Sequence, residues 1–314
     1  MSFAHELDRY LSVRRSLGAD LRTDERILRR FVTFAENDGV THTSTDLFLR
    51  WHATLAEAGS STRAARLSKV RLFAQWLSGL DSDHEVPPRG LLPDRYRRVR
   101  PYIYSEAEVI AIVEHARTLP SIYGMRGLTC SMLFGLIAVT GLRISEALRL
   151  DPGDLDAESG VLRVRHGKLG KERLLPLDPS VVTRLKAYGA ERDRLLGRTP
   201  DAFFVTCEGT RLGDCGARYN FAQVCQQIGI RTPQLYQRHG RGPRIHDLRH
   251  TFAARTMINW YRSGIDPARE MIKLTTYLGH SSPSNTYWYL EAVPELLELA
   301  SARIMNATHG EACQ

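Results

Sequence analysis

Hydrophobic periodicity runs through most of this chain and fails between Asp81 and Tyr104. The segment DSDHEVPPRGLLPDRYRRVRPYIY carries Pro87, Pro88, Pro93 and Pro101. Proline donates no backbone hydrogen bond and pushes the residue before it out of the helical region. A stretch punctuated in this way is a connector, so the chain has to fold as separate units on either side of it. With 314 residues, each unit is long enough to bury its own core. We place a helical unit at residues 1–85, a linker at 86–104 and a second unit at 105–314.

From Asp8 to about Leu80, apolar residues return every three or four positions, and four helices fit. The last, Ser61 to Leu77, puts Ala64, Leu67, Val70, Phe73 and Leu77 on one side and Arg63, Arg66 and Lys69 on another. Such a basic face is either simply solvated or a contact surface for a polyanion. Beyond the linker, Ser105 and Glu108 form a capping box that opens a helix to about Leu119. A second helix starts near Gly127. Its apolar run Leu128 to Val139 is too short and too interrupted to cross a bilayer, so we expect a buried core helix. After Asp151, GVLRVRHGKLGKERLLPLD alternates apolar and polar residues about a Gly-Lys turn, the pattern of a β-hairpin. Helices resume at about Ser180. The expected fold class is mainly α with a small antiparallel β-sheet.

The formal net charge is +8 and the sequence pI about 9.4, which favours a polyanionic partner. Arg97, Arg98 and Arg100 in the linker, with Arg95, are placed to neutralise phosphates. The five cysteines are odd in number and lack the spacing of a zinc knuckle, as expected for reduced cytosolic thiols. The N-terminus MSFAHELDRY has no secretory pattern, so we expect a cytoplasmic protein without a membrane partner. No nucleotide-binding P-loop, HExxH or calcium loop occurs. We therefore expect no cofactor and no metal. His246 and His250, four apart, would share a helix face as a metal pair does, but the sequence offers no evident third ligand.

His246 also stands three residues before Arg249 in RIHDLRHTF, and three other segments accompany this pair: TGLRISEAL, RHGKLGKERLLPL and LGHSSPSNTYWYL. Together, in this order, they resemble the tyrosine recombinases, the family of phage integrases and Xer-type resolving enzymes. The resemblance spans roughly Pro101 to Glu298. It assigns the first arginine to Arg143, the hairpin lysine to Lys168 with Lys171 as the alternative, the H-x-x-R pair to His246 and Arg249, and the L-G-H histidine to His280. The nucleophile, nine residues after that histidine, falls on Tyr289, with Tyr287 next.

The same resemblance implies a helical core-binding domain and a catalytic domain closing as a C-shaped clamp on duplex DNA with inverted core sites. It implies a tetramer in the synaptic complex, with a second recombinase as a further candidate partner. The stretch from Arg249 to His280 is longer than the family's usual spacing, so we expect an extended helix or an extra turn there. After Tyr289, Val293, Leu296, Leu297, Ala300 and Ile304 form an apolar stripe that folds back on its own domain or docks on a neighbour.

The chemistry follows from the residue types. A phosphodiester under attack by an oxygen gathers negative charge on its non-bridging oxygens. Guanidinium groups stay protonated and hold phosphate oxygens through paired bonds, so Arg143 and Arg249 suit a metal-free clamp with His280 as a third donor. A phenol of pKa ~10 is about one part in a thousand ionised at neutral pH. Tyr289 therefore has to lose its proton as it attacks, and His246 is the expected base. The departing 5′ oxygen needs a proton, a task suited to Lys168. Glu146 is placed to orient Arg143. The covalent 3′-phosphotyrosine retains the bond energy, so integration, excision or transposition by this route needs no ATP. Two rivals are a type IB topoisomerase and an accessory DNA-binding protein that has lost catalysis; the complete residue set argues against the latter.

Overall fold

The computed structural model describes residues 2–55, 59–92, 100–165, 172–232, 242–280 and 282–311. The chain divides into two compact units, Met1–Val99 and Arg100–Gln314.

The first unit is built from α1 (Phe3–Ser16), α2 (Arg22–Asn37), α3 (Thr45–Ala53) and α4 (Ser60–Ser78). Ser44 starts α3 by accepting the Leu47 N–H at 3.0 Å, which satisfies one of the donors a helix N-terminus leaves open. On α4 the predicted stripe Ala64, Leu67, Val70, Phe73 and Leu77 is buried. It meets Leu7, Leu28, Phe31, Phe48 and Trp51 from the other helices in one core. The α2–α3 loop is pinned to the segment after α4, where Glu85 donates its N–H to the Thr43 carbonyl at 2.8 Å and Thr43 donates to His84 Nδ1 at 3.0 Å. Leu91 and Leu92 also pack on this core.

The second unit begins with α5 (Glu106–Arg117), and both bonds of the Ser105–Glu108 capping box are present. Next comes α6 (Met125–Thr140), the apolar run read from the sequence, followed by the single turn α7 (Ile144–Ala147). The stretch Ile122–Thr140 is long and apolar enough to cross a membrane by length and composition, yet half of it is buried inside the unit. It packs against α5, α8 (Pro179–Leu196) and α10 (Ile245–Arg262) as the central core helix. Between α7 and α8 lies an antiparallel sheet in the order β1 (Leu155–Asp156), β2 (Val161–Val164), β3 (Arg173–Pro176), with Leu162 opposite Leu175. Tyr104 is buried in this unit, where its N–H donates to Thr251 and its hydroxyl to the Arg244 carbonyl.

The remaining helices are α9 (Asp214–Gln227), α11 (Pro267–Leu278), α12 (Ser284–Ala292) and α13 (Pro294–Glu311). The expected extension after Arg249 is present, since α10 continues to Arg262 and carries Trp260 and Tyr261 onto a core shared by α10 to α13. The expected apolar stripe of the last helix is interrupted. Val293 and Leu296 are buried, but Leu297 is 56% exposed. Val293 ends α12 with an extended backbone, φ −114° and ψ 107°, and on α13 the adjacent Leu296 and Leu297 point about 100° apart, which leaves one covered and the other in solvent. The Ile304 side chain lies outside the described residues. In this chain α13 lies on its own unit, with Arg262 paired to Glu295 at 2.7 Å and Arg303 donating to the Ile265 carbonyl at 3.0 Å.

Candidate active site

The predicted residues Arg143, Glu146, His246, Arg249, His280 and Tyr289 converge where α6, α7, α10, α11 and α12 end or meet. The convergence starts with two glycines. Gly141 ends α6 at φ +62° and Gly279 ends α11 at φ +65°, a left-handed conformation that glycine adopts without strain. A helix C-terminus leaves carbonyls without intrahelical partners and carries partial negative charge, so it attracts cations. Both site arginines occupy such positions. Arg249, only 1% exposed, donates to the Gly141 carbonyl at 2.6 Å and the Leu278 carbonyl at 2.7 Å. Arg143 donates to the Gly279 carbonyl at 2.9 Å and to Glu146 Oε1 at 2.7 Å. Burial, followed by the charge of Arg143, lowers Arg249 to about 10, which leaves it protonated at neutral pH.

Glu146 is buried, and its carboxylate receives the Arg143 backbone N–H at 2.9 Å as well as two bonds from Arg173, at 3.0 and 2.9 Å. Burial alone would raise its pKa. The bonds and charge of Arg173, then those of Arg143, outweigh burial and bring it down to about 2. Arg173 opens β3 and also donates to the Tyr277 carbonyl at 2.9 Å. It was not among the residues singled out in the sequence, although it closes the GKLGKER stretch.

His246 and His250 lie one turn apart on α10, with ring centroids 4.7 Å apart and edge to face. Burial lowers His246 to about 4 with help from Arg249, Arg244 and Arg143. Burial, then His246 and Arg249, lowers His250 to about 3. Both are therefore neutral at physiological pH. His250 Nδ1 stands 2.7 Å from the Tyr289 hydroxyl, so one member of the pair considered for metal binding is engaged by the phenol. Among the described residues this pair gathers no third ligand. The sequence signal for His250 was its position beside Arg249, on the face that also carries His246.

Tyr289 is 1% exposed and sits in the core of α10 to α13, whereas Tyr287 is 47% exposed. His280 Nδ1 lies 2.8 Å from Thr286 Oγ1, and Thr286 in turn meets Thr275 at 3.0 Å, which ties the turn after α11 to α12.

Lys168, Lys171, Arg97 and Arg98 lie outside the described residues. Arg100 is exposed. In the first unit Arg63 and Arg66 are half-buried, and Lys69 is paired with Asp24 at 2.9 Å. Arg66 lines a cleft of about 470 Å³ with Arg26, Arg30, Trp51, Ser61 and Thr62. Arg26 and Arg30, on α2, were not among the residues singled out in the sequence.

A helical unit carrying a phosphate-type arginine pair beside a buried tyrosine defines a class, and comparison with known proteins gives it a name. The model of the phage integrase family matches residues 104–295, and the chain belongs to that family as a tyrosine recombinase. It is 36% identical over 308 residues to a Sinorhizobium fredii protein named as an integrase/recombinase, covering 96% of this chain and 97% of that one. It is 28% identical to the tyrosine recombinase XerC of Pelotomaculum thermopropionicum, covering 88% of this chain and 79% of the relative. Among solved structures, the lambda integrase tetramer bound to a Holliday junction shares the fold with a TM-score of 0.62 at 17% identity, over 92% of this chain and 77% of that one. The Tn1549 transposon integrase in complex with transposon right end DNA gives a TM-score of 0.63 at 15% identity, over 92% and 94%. The expected fold class, mainly α with a small antiparallel sheet, is the one observed.

Proposed function

We propose that this chain breaks and rejoins duplex DNA at specific sites, with Tyr289 as the nucleophile of a covalent 3′-phosphotyrosine intermediate. The observation that carries the reading is the placement of Tyr289 against the α10 helix that also bears Arg249, while Arg143 and Arg249 share the Leu278 carbonyl at the end of α11. In this reading Arg143 and Arg249 receive the scissile phosphate, Glu146 and Arg173 hold Arg143 in place, and His280 adds a donor. Lys168, or Lys171, protonates the leaving 5′ oxygen.

The first unit and the linker arginines act as the core-binding domain and the second unit as the catalytic domain. The active assembly is a tetramer on paired DNA sites with inverted core elements, and the event is integration, excision or transposition of a mobile element in the cytoplasm. Relaxation of supercoils by a monomer is the weaker reading, because the relatives are named as recombinases.

The test is a nicked suicide duplex built from the element's own ends, incubated in EDTA with wild type, Tyr289→Phe and Tyr287→Phe. A denaturation-resistant protein–DNA adduct lost only in Tyr289→Phe supports the reading. Tight binding without adduct in wild type on a verified site rejects it.

A further inference from the structure

We infer that His250, rather than His246, takes the proton of Tyr289 when the phenol attacks DNA. The inference rests on the reading of Tyr289 as nucleophile. A general base must first be within hydrogen-bond reach of the proton it removes, and basicity is the second criterion. His250 Nδ1 meets the first criterion at 2.7 Å from the hydroxyl. His246 stands against the ring of His250, at 4.7 Å between centroids. The His250 ring is further fixed by Trp288, at 5.7 Å, and by the Tyr289 ring itself, at 5.5 Å. A neutral imidazole whose Nε2 carries the hydrogen presents an Nδ1 lone pair, and the phenol donates to it.

The charges around His250 explain why the resting protein does not ionise its own nucleophile. The Arg249 guanidinium on α10, with that of Arg244 near the start of the same helix, places positive charge beside His250. Together with burial they disfavour an imidazolium. An incoming phosphodiester between Arg143 and Arg249 brings the negative charge that offsets them, so His250 gains basicity when substrate is bound. In the step itself the Tyr289 oxygen bonds to phosphorus, its proton passes to His250 Nδ1, the bond to the 5′ oxygen breaks, and that oxygen takes a proton from the general acid on the β2–β3 hairpin. Rejoining reverses each transfer, and His250 returns the proton to the phenol.

The experiment follows single-turnover adduct formation on the nicked duplex from pH 5.5 to 9.5 for wild type, His250→Gln, His250→Ala, His246→Gln and Tyr289→Phe, with DNA binding and thermal melting as controls. His250→Gln keeps an acceptor for the phenol but cannot carry its proton. We expect both His250 variants to lose about 100-fold or more of the rate at pH 7, in the range of a lost general base, and to recover as pH rises towards the phenol's own pKa of ~10. We expect His246→Gln to keep the wild-type pH profile. A wild-type rate and profile in His250→Gln overturns the inference while leaving Tyr289 in place, as does faster cleavage by either variant, which would make the contact a resting lock. If His250→Ala does not fold, His250→Gln alone decides. An adduct in Tyr289→Phe defeats the underlying reading instead.

Discussion

Arg173 donates to both carboxylate oxygens of Glu146, at 3.0 and 2.9 Å, while its Nε donates to the Tyr277 carbonyl at 2.9 Å. One side chain on β3 thereby joins α7 to the last turn of α11, the two places from which Arg143 is held. We expect Arg173→Ala to cost on the order of 3 kcal/mol, because removing one partner leaves a buried carboxylate short of a cation. The same change should slow cleavage by loosening Arg143. Arg173→Lys substitutes a point charge for a planar fork, so it should regain part of the stability and little of the rate. Urea unfolding and single-turnover cleavage check both statements; wild-type values in Arg173→Ala would remove the residue from the account.

The two helix-ending glycines set a second expectation. A Cβ at Gly141 would lie 2.6 Å from Phe252 Cδ1 and 2.9 Å from Leu278 Cδ2, at a backbone φ of +62°. Strain and displacement together should make Gly141→Ala about 2–4 kcal/mol less stable. At Gly279 a Cβ would lie 2.9 Å from Arg173 Nη1, so Gly279→Ala should also disturb the hold on Glu146. Denaturation midpoints at constant slope measure the cost, and a change below about 0.5 kcal/mol, the size of an ordinary surface substitution, contradicts it.

Acid should destabilise the protein in two stages. His246 and His250 sit at about 4 and about 3, below the ordinary 6.5, so as pH falls below 6.5 the unfolded chain binds their protons first. Stability then declines by up to about 1.4 kcal/mol per pH unit for each histidine until the folded values are reached. Glu146, at about 2 against 4.5, contributes stability that is present above pH 4.5 and lost as pH falls towards 2. Urea midpoints between pH 4 and 8 should fall on acidification, and His246→Asn should flatten that fall. An unchanged slope in the variant argues against a buried neutral His246.

On the first unit the structure separates two residues that look equivalent in sequence. Lys69 is held by Asp24 at 2.9 Å, whereas Arg66 lines a cleft with Arg26 and Arg30. Arg66→Ala should weaken DNA binding at all sequences and reduce the salt slope by about one counterion, and Lys69→Ala should change both less. Gel-shift titrations from 50 to 200 mM salt compare them. The reverse order would exclude the cleft of Arg26, Arg30 and Arg66 as the DNA contact.

Much of the fold could be read locally. The Ser105–Glu108 box, the α4 stripe and the β2–β3 hairpin each depend on neighbours a few residues apart, and each formed where the pattern put it. The stripe after Tyr289 formed only in part: Val293 and Leu296 are buried while Leu297 is exposed, because adjacent residues on one helix point about 100° apart and packing against α10 decides which of them is covered. Arg173 was visible as a letter in its motif but not as a partner of Glu146, since the two are 27 residues apart.

By itself the sequence determined that helices dominate the chain, that a hairpin interrupts them after Asp151, and that an ordered set of arginines, histidines and a tyrosine is present. Caps, turns and amphipathic faces are short-range effects, and motif order is a property of the string. Only the tertiary structure decided which groups meet. It put His250 on the Tyr289 hydroxyl across a separation of 39 residues, buried Tyr289 while leaving Tyr287 exposed, and hung both arginines on the carbonyls at the ends of α6 and α11. Those contacts depend on how helices cross and where they stop, and that is fixed by packing between elements distant in the chain.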